Sequence, residues 1–414
     1  MASILWYVAC CGALLLVVML GVDALLGPRA GTVTIRRDGE ESFALDVPSS
    51  LGYALDNRSR VSVRCGVIDT PVAVLQWQTD ELTVILAPLN TAHLERAVLP
   101  SYRGEATLSV LYMWVENQIG LLRRRVRVDV QRQIKVYPDL SVVARYGNLR
   151  SHNRLIESGL RKMRLRGAGT EYESLREWSH GDPYRAIDWK ATARRGKLMV
   201  AQHEVERSQN VVLLLDCGRL MTARLGRHSK LDYAITAALC VATIAGLAND
   251  RIGLLAFAQN IMEAIAPHAS KKAVPKIAGC LLGLQPSFEE SDYGAAFTYI
   301  GTHLSKRSLI VFFTDMFDPI ASSSVLESLR TLPSRHLVLC IFMSDAAIDE
   351  ATAREPEDVM DAYRASVALM LLEERRTAAA ILRRGGVRVI DAPASTLSIA
   401  LINAYLEIKE RGLL

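Results

Sequence analysis

Several catalytic signatures are absent from this sequence of 414 residues. It has no Gly-x-x-x-x-Gly-Lys-Ser/Thr phosphate loop, so any ATP hydrolysis connected with the chain has to come from a partner. A Gly-x-Ser-x-Gly elbow and a His-Glu-x-x-His pair are also missing, and the eight histidines are dispersed. These absences argue against a P-loop nucleotide hydrolase, a serine hydrolase of the elbow type and a zinc protease, and they leave no catalytic residue to nominate.

Cysteine is sparse and follows no pattern. The seven cysteines include no Cys-x-x-Cys pair, and most lie in apolar runs, where a thiol behaves as a small hydrophobic side chain. An odd, scattered set of this kind is typical of reduced, structural cysteines. We therefore expect the soluble part of the chain to face the cytosol.

A strong excess of one charge sign is lacking as well. The formal net charge is +5, which is modest for this length, and the composition is 50% hydrophobic and 22% charged. Such values are typical of globular domains and argue against long disorder. The length allows two or three domains, and we expect no nucleic-acid partner.

One long apolar run is present near the start of the chain. From Ile4 to Leu26 the only charged residue is Asp23, and at about 1.5 Å per residue the run can span a bilayer core. A signal peptide fits less well, because no basic residues precede the run. Since Arg29, Arg36 and Arg37 follow it, the positive-inside rule places the bulk of the chain in the cytoplasm. Residues 1–28 are thus predicted to form a single transmembrane anchor.

Residues 29–138 are predicted to form a β-sandwich-like domain. Short runs with alternating apolar side chains recur between turn-rich connections, which is typical of a small antiparallel sandwich. One strand carries the basic run Arg123-Arg-Arg, with Arg127 and Arg132 following. We interpret this basic face as solvated, and contact with lipid headgroups is the alternative close to an anchor.

Residues 208–414 are predicted to form a doubly wound α/β domain, because strand-like and helix-like segments alternate along this part of the chain. Two of the predicted strands end on an acid, Asp216 and Asp315. In doubly wound sheets, ligands bind at the carboxyl ends of the strands near a topological switch point. We therefore expect the functional site there.

Residues 139–207 have no regular apolar pattern, and they contain the most informative segment of the sequence. Asp182 suits a helix N-cap, Pro183 suits the first helical position and Gly196 suits the C-terminal stop, so the pattern predicts a short helix between them. Asp188 and Lys190 have the Asp-x-Lys spacing of some metal-dependent nucleases, but here they fall within the predicted helix. An ion-paired scaffold is the better interpretation of this charged cluster.

The same segment resembles the hallmark of the bacterial family known as domain of unknown function 58. The pattern is roughly Gly-x-Glu-Phe, Arg-Glu-Tyr, then Gly-Asp-x-x-Arg-x-Ile-Asp-Trp-Lys-x-x-Ala-Arg. Its main positions fall at Glu171, Arg176, Gly181, Asp182, Arg185, Asp188, Trp189, Lys190 and Arg194. The resemblance implies a von Willebrand factor A-like α/β domain at residues 208–414, a location in the bacterial inner membrane, and a partnership with a MoxR-type AAA+ ATPase and a client protein. Members often carry a transmembrane hairpin, whereas this chain has one predicted span.

The resemblance also implies a place for Mg²⁺. Von Willebrand A domains often hold it with an Asp-x-Ser-x-Ser motif, a later Thr and a second Asp, all hard oxygen ligands. The matching positions are Asp216, Gly218 and Leu220, so both hydroxyls are missing. Asp315 fits the late acid, and Ser291 or Asp292 falls near the Thr position. A degenerate Mg²⁺ site at Asp216, Asp315 and Asp292 and a metal-free protein-binding surface both remain open.

Three functions are compatible with these observations. The first is a membrane-anchored adaptor or scaffold whose α/β domain binds proteins and works with a MoxR-type ATPase in the maturation or assembly of other complexes. The second is a metal-dependent hydrolase that uses Asp216 and Asp315, or Asp182 and Asp188. The third is an envelope scaffold without an ATPase partner. The missing catalytic signatures favour the adaptor.

Overall fold

The computed structural model describes residues 2–29, 31–117, 119–141, 143, 171–179, 184, 187–204, 208–315, 319–329, 332 and 335–413. The chain divides into two compact units, Met1–Asp139 and Leu140–Leu414. The segment that carries the family-like motif falls within the second unit.

The first unit begins with a long apolar helix, α1 (Ala2–Leu26). Among the described residues, two helices are long and apolar enough to cross a membrane, and they differ in burial. Trp6–Leu26 of α1 is 6% buried, whereas Lys230–Leu247 is 67% buried. A helix that is apolar all round and yet uncovered by protein is compatible with a single-pass anchor.

The rest of the first unit is β structure. Its described strands are β1 (Val33–Asp38), β2 (Ser42–Ala44), β3 (Ser49–Asn57), β4 (Val63–Asp69), β5 (Leu75–Trp77), β6 (Leu82–Leu86), β7 (Asn90–Pro100), β8 (Gly104–Glu116) and β9 (Arg123–Tyr137). Over the described range they form two sheets, ordered β1-β3-β7-β5 and β2-β9-β8-β4-β6. All pairings are antiparallel except that of β2 with β9, which is parallel and departs from the predicted antiparallel pattern.

Both sheets contribute to one hydrophobic core, as in a sandwich. Leu55 and Val98 of one sheet and Cys65 and Leu111 of the other are fully buried in it. Alternation explains the strands, since β1 buries every second side chain. Burial raises the pKa of the Cys65 thiol to about 12, so this cysteine acts as a small apolar side chain.

The second unit alternates strands and helices after a small hairpin. Its described elements are β10 (Glu171–Glu177), α2 (Trp189–Arg195), β11 (Met199–Glu204), β12 (Asn210–Asp216), β13 (Arg224–Leu225), β14 (His228–Ser229), α3 (Lys230–Leu247), β15 (Arg251–Phe257), β16 (Ile261–Ala269), α4 (Ser270–Gly283), α5 (Tyr293–His303), β17 (Ser308–Phe313), α6 (Pro319–Leu329), β18 (Leu337–Ser344), α7 (Ala346–Ala353), α8 (Val359–Arg384), β19 (Arg388–Pro393) and α9 (Leu397–Glu410).

The main sheet has the order β16-β15-β12-β17-β18-β19. Its strands are parallel except β16, which pairs antiparallel with β15. Helices cover both faces: α3, α4 and α9 pack on one hydrophobic cluster, and α5, α6 and α8 pack on another. Strand β12 is buried along its whole length because alternate side chains enter the two clusters. Helices on both faces agree with the α/β arrangement expected from the sequence.

Two local expectations differ from the structure. The edge strand β16 has no alternating apolar pattern, because most of its side chains are exposed. The helix-like pattern after β18 predicts one long helix to about Arg384, whereas the structure has two helices, α7 and α8, interrupted around Pro356, which cannot continue a helix. The helix start predicted at Asp182 lies outside the described residues; the described helix α2 begins at Trp189, and Asp188 is its N-cap.

Candidate functional site

The carboxyl ends of β12 and β17 form the predicted crevice. The chain leaves β12 for β15 on one side and later returns to β17 on the other, so the two strands flank the topological switch point. Since Leu215 pairs with Phe313, the next residues along, Asp216 and Thr314, lie side by side. Asp315 follows directly, so two of the three predicted metal ligands are on adjacent strand ends.

The Asp216 carboxylate is buried and fully occupied by protein donors. Its Oδ1 accepts hydrogen bonds from the Gly218 N–H at 2.9 Å and from the Ser291 hydroxyl. Its Oδ2 accepts from the Thr314 hydroxyl at 2.8 Å and from the Tyr293 hydroxyl at 3.0 Å. Four donors on one carboxylate satisfy it without any bound ion.

Gly218 explains how a serine from another loop reaches this carboxylate. A Cβ atom at position 218 would lie 2.1 Å from the Ser291 Oγ and 2.9 Å from the Glu289 carbonyl oxygen. Ser291 therefore occupies the space that a side chain on residue 218 would need. The hydroxyl that the sequence lacks after β12 comes from the loop before α5.

Asp315 is held by cationic side chains. Lys230 at the start of α3 donates to its Oδ2, and Arg375 of α8 donates to its Oδ1 at 3.3 Å. Arg375 also binds Asp391 of β19 at 2.7 Å. All three of Asp315, Lys230 and Arg375 are buried. Burial raises the pKa of Asp315, and the charges of Lys230 and Arg375 act in the opposite direction.

Asp292, the third predicted metal ligand, has a structural role. Its side chain accepts a hydrogen bond from the Ala295 N–H at 2.9 Å and so caps α5. Across the part of the chain that the structure describes, no three or more His, Cys, Asp or Glu side chains are grouped as a metal site requires.

The residues present do not fit Mg²⁺. An octahedral site needs several oxygen ligands with free lone pairs and a net negative surrounding. Here the oxygens of Asp216 accept four protein hydrogen bonds, and the carboxylate of Asp315 already contacts an ammonium and a guanidinium group. A further cation beside Lys230 and Arg375 would be repelled. A titration can test the magnesium site that the sequence suggested.

The rim of this crevice presents an exposed aromatic side chain. Phe288 is 82% exposed although its loop is fixed at several points. The Ser287 N–H donates to the Cys217 carbonyl at 2.6 Å, and the Arg219 N–H donates to the Glu289 carbonyl at 2.8 Å. Arg219 further pairs with Glu290 at 3.2 Å. Because aromatic side chains are enriched in protein–protein interfaces, Phe288 is the candidate contact residue of this rim.

The hallmark residues are only partly within the described structure. Glu171 and Arg176 lie in β10, which pairs antiparallel with β11. Gly181, Asp182 and Arg185 lie outside the described residues, so the predicted Asp182 cap and the Asp182/Asp188 pair are not described.

The described hallmark residues after Arg185 lie on the short helix α2 or cap it. The Asp188 Oδ1 accepts from the N–H groups of Lys190 and Ala191 at 3.0 and 2.9 Å, so this carboxylate caps α2. Trp189, Lys190 and Arg194 are exposed on α2. The hallmark residues thus shape a hairpin with an exposed helix, and Asp188 has a structural role there.

Sequence reasoning missed four residues of the crevice: Lys230, Tyr293, Thr314 and Arg375. Thr314 and Tyr293 were detectable in principle, because each is adjacent to a nominated acid. Lys230 and Arg375 had no local signal, since they are 85 and 60 residues from Asp315 along the chain. Burial raises the pKa of the Tyr293 hydroxyl, so it remains a hydrogen-bond donor to Asp216.

Two curated proteins are similar to part of this chain. The uncharacterized protein YeaD of Bacillus subtilis is 29% identical over 126 residues, which cover 30% of this chain and 31% of YeaD. The uncharacterized protein Rv1480 of Mycobacterium tuberculosis is 25% identical over 190 residues, which cover 43% of this chain and 56% of Rv1480. The chain thus spans between about a third and just over half of the length of the curated relatives it matches.

A solved structure with partial likeness is the conserved hypothetical protein BatB from Bacteroides thetaiotaomicron. It aligns with 49% of this chain and 99% of its own, at 16% identity and a TM-score of 0.31. The sequence model of a family described as "Protein of unknown function DUF58" matches residues 174–377, from the hallmark hairpin into α8. This match supports the assignment of residues 174–377 to the DUF58 family.

Proposed function

We propose that this chain is a membrane-anchored adaptor whose α/β unit binds other proteins at the carboxyl edge of its main sheet. The proposal rests mainly on the burial and hydrogen bonding of the two acidic side chains at this edge. Asp216 and Asp315 are buried and bonded to protein donors, which leaves neither carboxylate in position to act as a base or to bind a substrate. The same edge presents Phe288 to solvent.

The internal ion pairs favour a rigid binding surface. Lys230, Asp315, Arg375 and Asp391 join α3, β17, α8 and β19 across the sheet edge. A largely buried network of ion pairs of this kind fixes the elements it joins. The loop that carries Phe288 is bonded to the same edge through Ser291. A partner would meet a preorganised surface, which lowers the entropic cost of binding.

The anchor and the partner complete the proposal. Helix α1 supplies the membrane attachment, with the bulk of the chain in the cytoplasm by the positive-inside rule. The resemblance of the hallmark segment suggests a MoxR-type AAA+ ATPase and its client as the bound proteins and a von Willebrand A-like binding domain. The chain has no phosphate loop of its own, which agrees with an ATPase supplied by a partner.

Affinity purification from membranes tests this proposal. Tagged wild-type chain is expected to recover an AAA+ ATPase, and Phe288→Ala is expected to lose at least tenfold of it, as for an aromatic hot spot. Leu247→Ala is the matched control, because Leu247 is another exposed apolar residue and ends α3, away from the strand ends that carry Asp216 and Asp315. Recovery of no ATPase by the wild type would contradict the assignment of the partner.

The competing function, a metal-dependent hydrolase using Asp216 and Asp315, has no support in the geometry. Calorimetric titration with Mg²⁺ and Mn²⁺ separates the two functions. We expect no binding heat at millimolar metal, because Lys230 and Arg375 already neutralise Asp315. Saturable binding that Asp216→Asn abolishes would favour the hydrolase.

A further inference from the structure

The last turn of α1 is tied to the β8–β9 connection. Asp23 is fully buried, and its carboxylate accepts hydrogen bonds from the N–H groups of Ile119 at 2.8 Å, Leu121 at 3.1 Å and Leu122 at 2.8 Å. Asn117 donates to the Asp23 carbonyl at 3.0 Å. The tip of this connection is therefore fixed at the point where the apolar helix ends.

Other connections of the first unit meet at the same end. The register pairs Asn57 with Asn90, and it pairs Arg64 with Glu116, the last residue of β8. The Leu89 N–H donates to the Ser59 carbonyl at 3.1 Å, and the Arg58 N–H donates to the Thr32 carbonyl at 2.8 Å. We call this end the basal pole. It comprises residues 27–29, 31–32, 58–62, 87–89 and 119–122, together with Arg64 and Arg123 at the adjoining strand ends.

The basal pole exposes apolar side chains that the fold does not need there. Leu89 is 72% exposed, Ile119 is 43% exposed and Leu121 is 41% exposed. Leu89 also has a φ of 52°, in the left-handed region that favours Gly or Asn. Neither packing nor backbone conformation explains a leucine at this position, whereas insertion into the acyl boundary of a bilayer does.

The basal pole also carries a surplus of arginine. The exposed basic residues are Arg29, Arg58, Arg60, Arg64 and Arg123. Among the described residues of this pole, the carboxylates are Asp23, which is buried and bound by backbone N–H groups, Asp56, which pairs with Arg58 at 2.9 Å, and Glu116, which lies 3.8 Å from both Arg64 and Arg123. The arginines outnumber the acids, and their surplus charge lies beside the end of α1.

Arg123 is held in a geometry suited to phosphate. Its guanidinium carbon lies 3.8 Å from the centre of the Trp114 ring, and Trp114 itself lies over Gly66, where a Cβ atom would come within 2.3 Å of the indole. The cation–π contact positions the guanidinium group, whose N–H groups can bind two phosphate oxygens in place of the Glu116 carboxylate 3.8 Å away. The residue at position 66 thus has to be glycine for this stack to form.

We propose that the basal pole is a binding site for the headgroups of anionic phospholipids. The arginines bind the phosphates, and Leu89, Ile119 and Leu121 enter the boundary between headgroups and acyl chains. The inference rests on α1 being the membrane anchor of the proposed function. It adds that the first unit is seated on the bilayer surface by this pole, with the Asp23 contacts setting its orientation relative to the helix.

Native mass spectrometry of the full chain released from nanodiscs tests the site. The nanodiscs contain equal amounts of phosphatidylglycerol and phosphatidylcholine, and the readout is the ratio of the two lipids that the protein retains. We expect wild-type protein to retain phosphatidylglycerol in excess. Arg60→Gln/Arg64→Gln/Arg123→Gln is expected to reduce this preference by at least fivefold, since a basic residue at an anionic surface contributes roughly that factor.

Two controls keep the outcome interpretable. Arg224→Gln/Arg227→Gln/Arg354→Gln removes the same charge from exposed positions of the second unit and is expected to leave the lipid ratio unchanged. Leu89→Asn relieves the backbone strain, so we expect it to fold normally. In that variant, backbone hydrogen exchange at residues 86–91 is expected to lose the protection that anionic nanodiscs give the wild type.

Separate measurements test the lipid site and the membrane anchor. Flotation with neutral vesicles measures α1 alone, and loss of flotation would contradict the anchor. Flotation together with equal retention of both lipids by the wild type would overturn the headgroup site and leave the anchor standing. An unchanged ratio in the triple arginine variant would overturn the site as well, because these side chains would then have no part in it.

Discussion

Ser291 occupies the space beside Gly218 that a side chain at position 218 would fill: a Cβ atom there would lie 2.1 Å from the Ser291 Oγ. The serine donates its hydroxyl hydrogen to Asp216, which also accepts the Gly218 N–H. The hydroxyl at this strand end therefore comes from the α5 loop instead of the loop after β12. The hydrogen bond from Ser291 to Asp216 therefore links the Phe288 loop to the main sheet at the proposed binding edge.

Because Ser291 fills the space beside Gly218, we expect substitutions at these two positions to compensate for each other. Gly218→Ser is expected to destabilise the protein by about 1–3 kcal/mol, because the new side chain overlaps Ser291 and the Glu289 carbonyl. Adding Ser291→Gly removes the overlap with the serine and is expected to recover part of that loss, because the Glu289 carbonyl stays close to the new Cβ atom. Denaturant unfolding of the single and double variants measures the coupling. Strict additivity of the two effects would show that the residues do not compete for one space.

Removal of the buried ammonium is expected to be costly. Lys230→Met removes the ammonium group from the buried Asp315 carboxylate and leaves Arg375 beside it, so we expect a loss of about 3–5 kcal/mol. Adding Asp315→Asn removes the uncompensated charge and is expected to recover part of the loss. Lys306→Met is the control, since Lys306 is exposed. A single variant as stable as the control would contradict the role of Lys230.

The same site predicts a pH dependence. Burial raises the pKa of Asp315 above its ordinary value of about 3.9, so the carboxyl takes up a proton more readily in the folded state than in the unfolded state. Stability from this group is therefore greatest at low pH and declines as pH rises through the folded pKa. In Lys230→Met the folded pKa rises further, and we expect its deficit to be smaller at pH 5 than at pH 8. A deficit that grows on acidification would contradict this assignment.

Asp23 is predicted to hold the β8–β9 connection in place. Asp23→Asn removes the charge that three N–H groups share, and we expect a loss of about 1–2 kcal/mol in a detergent-solubilised chain. Hydrogen exchange at residues 119–122 is expected to accelerate, while that of the main sheet is unchanged. Asp80→Asn serves as the control, because Asp80 is exposed. Equal exchange in both variants would mean that Asp23 does not fix the turn.

The sequence predicted the features that depend on local pattern. The α1 run, the fully buried strand β12 and the position of Asp216 and Asp315 at strand ends follow from hydrophobicity and strand periodicity. Asp23 was visible in the sequence as an isolated charge, but its three N–H partners are about 96 to 99 residues away. Its role depends on tertiary contact, which no local pattern reveals.

The errors have physical causes of the same kind. Edge strand β16 lacks alternation because one buried residue, Ile265, is enough to seat it on β15. Lys230 and Arg375 reach Asp315 only because α3 and α8, on opposite faces of the main sheet, both bring a cationic side chain to its carboxyl edge.

Site-specific photo-crosslinking at position 288 tests the central claim most directly. A photoreactive phenylalanine analogue replaces Phe288 in one variant and Leu247 in another, and membranes are irradiated before the anchored chain is isolated. The adaptor account predicts an adduct with an AAA+ ATPase or its client from position 288 and none from position 247. Adducts absent from position 288, or equal from both positions, would contradict the proposal that the carboxyl edge of the main sheet binds the partner.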